Sequence, residues 1–181
     1  MRQNTDQPVL ARPLKVDEIR DDASGTIQVT EVEREAVAKM LDLEALDQLT
    51  LTYRFDQIGG GRLRLAGTLR ADVTQTCVLS LEPIERFLEA PVEVEFWPEA
   101  LIAGSDTSVA ESGTSGLLDW PEAIVDGRID LGPVVYDCLA TALDPYPKRE
   151  GASFDWPSGA AEEEEGAESG PFSALAALKK S

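Results

Sequence analysis

The feature that most constrains the fold is a strict alternation interrupted by three glycines. Leu49, Leu51, Tyr53 and Phe55 alternate with Thr50, Thr52, Arg54 and Asp56. Gly59, Gly60 and Gly61 follow. Leu63, Leu65, Gly67, Leu69, Ala71 and Val73 then alternate with Arg62, Arg64, Thr68, Arg70, Asp72 and Thr74. A period of two sends one set of side chains into a core and the other into water. Two such runs around a glycine cluster predict a β-hairpin. A third run, Val92, Val94 and Phe96 against Glu93, Glu95 and Trp97, follows a turn region near Leu81 to Pro83 and completes a three-stranded antiparallel meander.

The flanking chain supplies smaller pieces. Residues 8–16 read as an extended edge segment, because Pro13 cannot donate to a central ladder. Gly25 to Val29 reads as a short strand. Thr30-Glu31-Val32-Glu33 fits a capping box, and Val32, Ala36, Val37, Met40 and Leu41 follow at helical spacing, so a helix is expected from Thr30 to Leu41. A second helix should begin at Asp130 as N-cap, with Pro133 harmless in its first turn. Its stripe is Leu131, Val134, Val135, Cys138, Leu139 and Ala142, and it should stop before Pro145. Residues 103–116 are small and polar and read as a loop or disordered insertion, with order resuming at Asp119-Trp120-Pro121. The fold expected is α+β: an antiparallel, curled or barrel-like sheet with two packed helices, all within a single domain over residues 1–150.

Beyond that domain, residues 151–170 are rich in Gly, Ala, Ser and Glu, including Glu162 to Glu165. Such a stretch buries too little apolar area to offset its ordering entropy, so it reads as a disordered acidic linker. Residues 171–181 form a short amphipathic motif in which Phe172, Leu175 and Leu178 share one side and Lys179 and Lys180 sit at the negative end of the helix dipole. A tether lets such a motif dock in the groove of a partner. Folding back onto its own sheet is the equal alternative.

Charge and residue chemistry restrict function more than they define it. The 181 residues carry 34 Asp and Glu against 16 Lys and Arg, a net charge of -18, which opposes general polyanion binding. Histidine is absent, which removes the usual general base and the commonest metal ligand. The carboxylates follow strand alternation or loop composition and read as solvated surface. Cys77 and Cys138 are the only cysteines, they form no CxxC, and both read as small core residues. Gly59 to Gly61 lacks the Lys-Ser/Thr of a phosphate loop and joins two strands, so it is turn glycine. The N-terminal residues lack the pattern of a signal peptide, and no stretch reaches the roughly 18 apolar residues of a membrane span, which points to a reducing cytoplasm.

The hairpin does offer one candidate site. Arg54, Arg62, Arg64 and Arg70 fall on the polar parity and so share the wet face, where they could contact RNA phosphates. The favoured reading of the same residues is neutralisation inside the sheet, because Glu93 and Glu95 have the parity to lie beside them on the third strand.

Three segments together resemble the YceD family, the bacterial large ribosomal RNA subunit accumulation proteins. GTLRADVTQTCVLSLEPIERFLEAPVEVEFWP (67–98) is similar to the family's strand, Cys-centred turn with a following Pro, and strand ending in an aromatic-Pro pair. GRIDLGPVVYDCLATALDPYP (127–147) resembles its Ile-Asp-Leu helix start and proline-rich exit, with Leu143-Asp144-Pro145 in place of the usual Leu-Pro. GPFSALAALKK (170–180) is close to its terminal Asn-Pro-Phe-Ala-x-Leu-x-x-Leu-Lys, with Gly170 where Asn is common. Where many members carry CxxC, this chain has Cys77 and Ser80. The resemblance implies a non-catalytic role in 23S ribosomal RNA accumulation or processing, and hence in large-subunit assembly. The expected partners are pre-ribosomal RNA, a ribosomal protein or an rRNA-processing enzyme. No cofactor, small-molecule substrate or membrane is expected. The alternative is an acidic adaptor that binds a basic ribosomal protein without touching RNA.

Overall fold

The glycine turn joins two long strands at the middle of the main sheet. In the computed structural model, which describes residues 9–103 and 121–152, β3 (Ala45–Gly59) and β4 (Arg62–Thr76) pair antiparallel, closing through Gly59↔Arg62. Gly60 and Gly61 have φ of 65° and 73°, the left-handed backbone that a two-residue type I′ hairpin turn requires. The ladder shifts register between Gln57 and Gly59, a bulge just before the turn. β5 (Pro83–Pro98) returns along the whole of β4, from Thr76↔Pro83 to Leu63↔Phe96. The meander is therefore as expected, except that β5 starts nine residues before the Val92 at which its alternation becomes plain in the sequence.

Two short strands extend the sheet. β2 (Ser24–Gln28) adds antiparallel to β3, and β6 (Glu122–Ile124) adds parallel to β5 over Phe96–Pro98, giving the order β2-β3-β4-β5-β6. Among the described residues the sheet is open: β2 and β6 end it, and the barrel-like closure expected from sequence does not occur. The physical reason is visible at the ends. β2 and β6 are five and three residues long, and each is paired along one side only, so no ladder joins them. A separate two-stranded ribbon joins β1 (Pro13–Lys15) to β7 (Arg128–Asp130). The extended segment around Pro13 is thus an edge strand, as its proline implies.

α1 (Glu31–Met40) begins at Thr30, where the capping box forms: the Thr30 side chain meets the N3 backbone, and the Thr30 N–H donates to Glu33 at 2.9 Å. α3 (Leu131–Ala142) begins at Asp130, whose carboxylate accepts from Gly132 N–H at 2.8 Å, and it ends before Pro145. α2 (Glu99–Ile102) is one further turn that sequence reading did not anticipate. Leu49, Leu51, Phe55, Leu65, Leu69, Val73, Val94 and Phe96 line the inner face of the sheet, and Val37, Leu131, Val135 and Leu139 bring the helices into the same core. Fully burying each such side chain is worth about 1.5–3 kcal/mol.

Gly132 permits the close crossing at the start of α3. A Cβ there would lie 2.1 Å from the Leu10 carbonyl oxygen. The same N-terminal segment is tied by Arg12, whose N–H donates to Asp130 at 2.6 Å and whose guanidinium donates twice to Glu33, at 2.7 Å each. The chain divides into units 1–150 and 151–181. The expected insertion near residue 110, the acidic linker and the terminal motif with Phe172, Leu175 and Leu178 lie outside the described residues.

Candidate functional site

Strand parity brings Arg54, Arg62, Arg64 and Arg70 to the outer face, as expected, and it brings carboxylates with them. Arg64 stands opposite Glu95, and its guanidinium lies 2.8 Å from that carboxylate and 3.6 Å from Glu93. Arg70 stands opposite Glu89 and pairs with it at 2.8 Å. Arg54 lies 3.2 Å from Asp56 and 3.6 Å from Asp22. The hydrogen bond from Arg64 and that from the Trp97 indole N–H at 2.9 Å hold the Glu95 carboxyl below its ordinary range, against the desolvation that is the largest influence and acts the other way. Glu93 and Glu95 were legible as partners. Glu89, Asp56 and Asp22 were missed, although Glu89 shares the parity of Glu93 and was open to the same argument.

Arg62 differs from the other three. Among the described residues it makes no ion pair; its guanidinium donates to the Gly59 carbonyl at 3.1 Å and lies 5.2 Å from the centre of the Trp97 ring. This is cation–π geometry. Trp97 was not singled out from sequence, yet Arg62 and Trp97 share the outer parity of neighbouring strands. The face is therefore a ladder of paired charges ending in an Arg–Trp stack beside the glycine turn.

At the opposite end of β4, Cys77 is fully buried in a tight turn. The Leu81 N–H returns to the Cys77 carbonyl at 3.0 Å, with Leu81 at φ 58°, a conformation unusual for a bulky residue. The Ser80 and Arg149 N–H groups both reach the Cys77 sulfur at 3.4 Å. Hydrogen bonding, from the Ser80 side chain first and then from backbone N–H groups, lowers the thiol to about 6. Segment 144–149 closes this end: Val78 N–H donates to the Pro147 carbonyl at 2.9 Å, Gln75 Nε2 to the Asp144 carbonyl at 2.9 Å, and Arg86 to Asp144 at 3.0 Å. Cys138 is buried on α3, where desolvation pushes its thiol up. Among the described residues, no three Cys, Asp or Glu side chains are grouped as a metal ion would need.

A groove of about 550 Å³ lies between α1 and the start of β3. Glu31, Glu35, Asp42, Glu44 and Asp47 line it with Lys39 and Arg34. Arg34 is held by the carbonyls of Leu46 and Val29, at 3.1 and 3.0 Å, so the groove presents mainly acid to a visitor.

Among the described residues, then, a mixed sheet carries a ladder of paired charges on its outer face, with a mainly acidic groove beside α1. Residues 65–179 match the family model of the large ribosomal RNA subunit accumulation protein YceD, and the chain belongs to that family. The match covers most of β4, all of β5 and α3, and segment 144–149, which closes the Cys77 turn. No curated protein and no solved structure matched the chain.

Proposed function

We propose that this chain is a non-catalytic factor that supports accumulation and processing of 23S ribosomal RNA during large-subunit assembly in the cytoplasm. Its membership of the YceD family, over more than half of the chain, is the observation that carries this reading. A strain lacking the gene should show reduced 23S RNA and a deficit of large subunits. Normal 23S levels with a normal subunit ratio would sink the proposal.

A second reading concerns what is touched, and the outer face favours it. Three of its four arginines are already paired with carboxylates, so presenting them to phosphate would mean giving up those pairs. The acidic groove beside α1 suits cations instead. The direct contact is then with a basic ribosomal protein, with RNA reached through it. Purified protein should bind naked 23S fragments weakly, with no dependence on Arg62 or Arg64. Tight RNA binding that falls steeply with salt and is lost in Arg62→Glu/Arg64→Glu would reverse this choice and restore the phosphate-contacting face.

A further inference from the structure

β5 is paired with β4 on one side from Pro83 to Phe96. On its other side, among the described residues, β6 pairs with it only over Phe96–Pro98, which leaves Pro83 to Glu95 without a neighbouring strand. Pro83 and Pro91 share one parity, and the ladder to β4 runs unbroken through both. A proline in an unbroken ladder has its missing N–H on the side away from the partner. Strand alternation therefore turns the N–H and C=O groups of Glu85, Phe87 and Glu89 to that same open side. The prolines blunt the edge at its two ends and leave the stretch between them able to pair.

The side chains along this stretch are unfinished as well. On the inner face, Ile84, Arg86, Leu88 and Ala90 are only half-buried, although Val73, Ala71 and Leu69, opposite the last three, are at most 2 % exposed. On the outer face, Phe87 is 61 % exposed and stands between Glu85 and Glu89. We propose that the open edge of β5 between Pro83 and Pro91 receives an extended, basic segment of a partner protein as an added strand. Its apolar residues would alternate towards Leu88 and Ala90, and a cation would lie beside Glu85, while Glu89 keeps its pair with Arg70. Main-chain pairing supplies the attachment in this mode, and the alternate side chains supply the selectivity. The inference rests on the protein-contact reading above and names the surface that performs it.

The test uses the full chain and a short synthetic peptide alternating lysine and valine, with its glutamate-for-lysine counterpart as control. In the free protein, the amides of Glu85, Phe87 and Glu89 should exchange with solvent far faster than those of β4. The lysine peptide should slow them, and the glutamate peptide should not. Phe87→Pro removes one outward donor and should weaken the lysine peptide about tenfold, roughly 1.4 kcal/mol, while the β4 amides stay protected. If that variant fails to fold, Glu85→Lys should still weaken the peptide by about threefold, as the loss of one exposed charge contact implies. Slow exchange at the edge of the free chain would overturn the proposal, because the chain's own residues would then occupy it. So would absence of binding at about millimolar peptide. A Phe87→Pro gene that restores 23S levels as fully as wild type would overturn the edge alone and leave the rRNA role standing.

Discussion

β4 and the first half of β5 lie side by side with the same alternation, yet only β4 is sealed. Leu65 and Leu69 are fully buried, and Ala71 and Val73 nearly so. Across the ladder from Leu69, Ala71 and Val73, the residues Ala90, Leu88 and Arg86 are only half-buried. Residue type accounts for this at Arg86, which reaches out to Asp144, but not at Leu88 or Ala90. β4 has a strand on each side, whereas β5 has one on each side only at its far end. Burial within a sheet is set by the number of neighbours as much as by the pattern of the strand.

The comparison breaks if equivalent truncations cost the same. Leu69→Ala should lower unfolding free energy by about 3–4 kcal/mol, and Leu88→Ala by about 1 kcal/mol, both read by urea denaturation. Similar losses at the two sites would mean that the β5 edge is covered after all.

The same contrast between shielded and open positions applies to charge. Glu33 accepts from Arg12 and from Thr30, and the Arg12 hydrogen bonds are the first cause holding its carboxyl at about 2. Its folded-state value lies below its ordinary one, so the ionised form contributes stability above about pH 4.5, and that contribution is lost as pH falls through about 2. Glu33→Gln should cost about 1–2 kcal/mol near neutrality and leave a shallower acid-unfolding curve over that window. An unchanged acid profile would remove Glu33 from the account.

Arg70→Gln probes the open counterpart. Arg70 and Glu89 are each more than half exposed, so the loss should stay below about 0.5 kcal/mol and shrink further in salt. A larger, salt-insensitive cost would show that the outer ladder is more shielded than its exposure implies.

Cys77 offers a separate check, read as a titration and not as a loss of stability. The thiol of the folded chain should ionise near pH 6, visible as thiolate absorbance in the difference between wild type and Cys77→Ser. Folding favours the thiolate, so this contribution is complete above about pH 9 and fades as pH falls to about 6. A midpoint near 9 would mean that the Ser80 and Arg149 donors do not hold in solution.

Much of this was legible beforehand, for local reasons. Thr30 with Glu33, Asp130 with Gly132, and Gly60 with Gly61 act within a few residues, and their caps and turn are where sequence reading placed them. The outward parity of Arg54, Arg62, Arg64 and Arg70 followed from period two alone. Pairing across distance was not legible. Nothing local in Glu122 to Ile124 announces a strand, because β6 pairs over three residues with a partner more than twenty positions earlier. The Cys77 donors were hidden for the same reason, since Arg149 is 72 residues away.

The sequence by itself determined the central hairpin, its wet and dry faces, both principal helix starts and the absence of histidine chemistry, because alternation, caps and composition act through neighbours in the chain. Among the described residues, tertiary structure decided that Arg62 alone of the four arginines has no carboxylate partner, that the sheet remains open, and that β5 keeps an unpaired edge. Those outcomes depend on which strands come to lie beside one another, and that is settled by packing of the whole core.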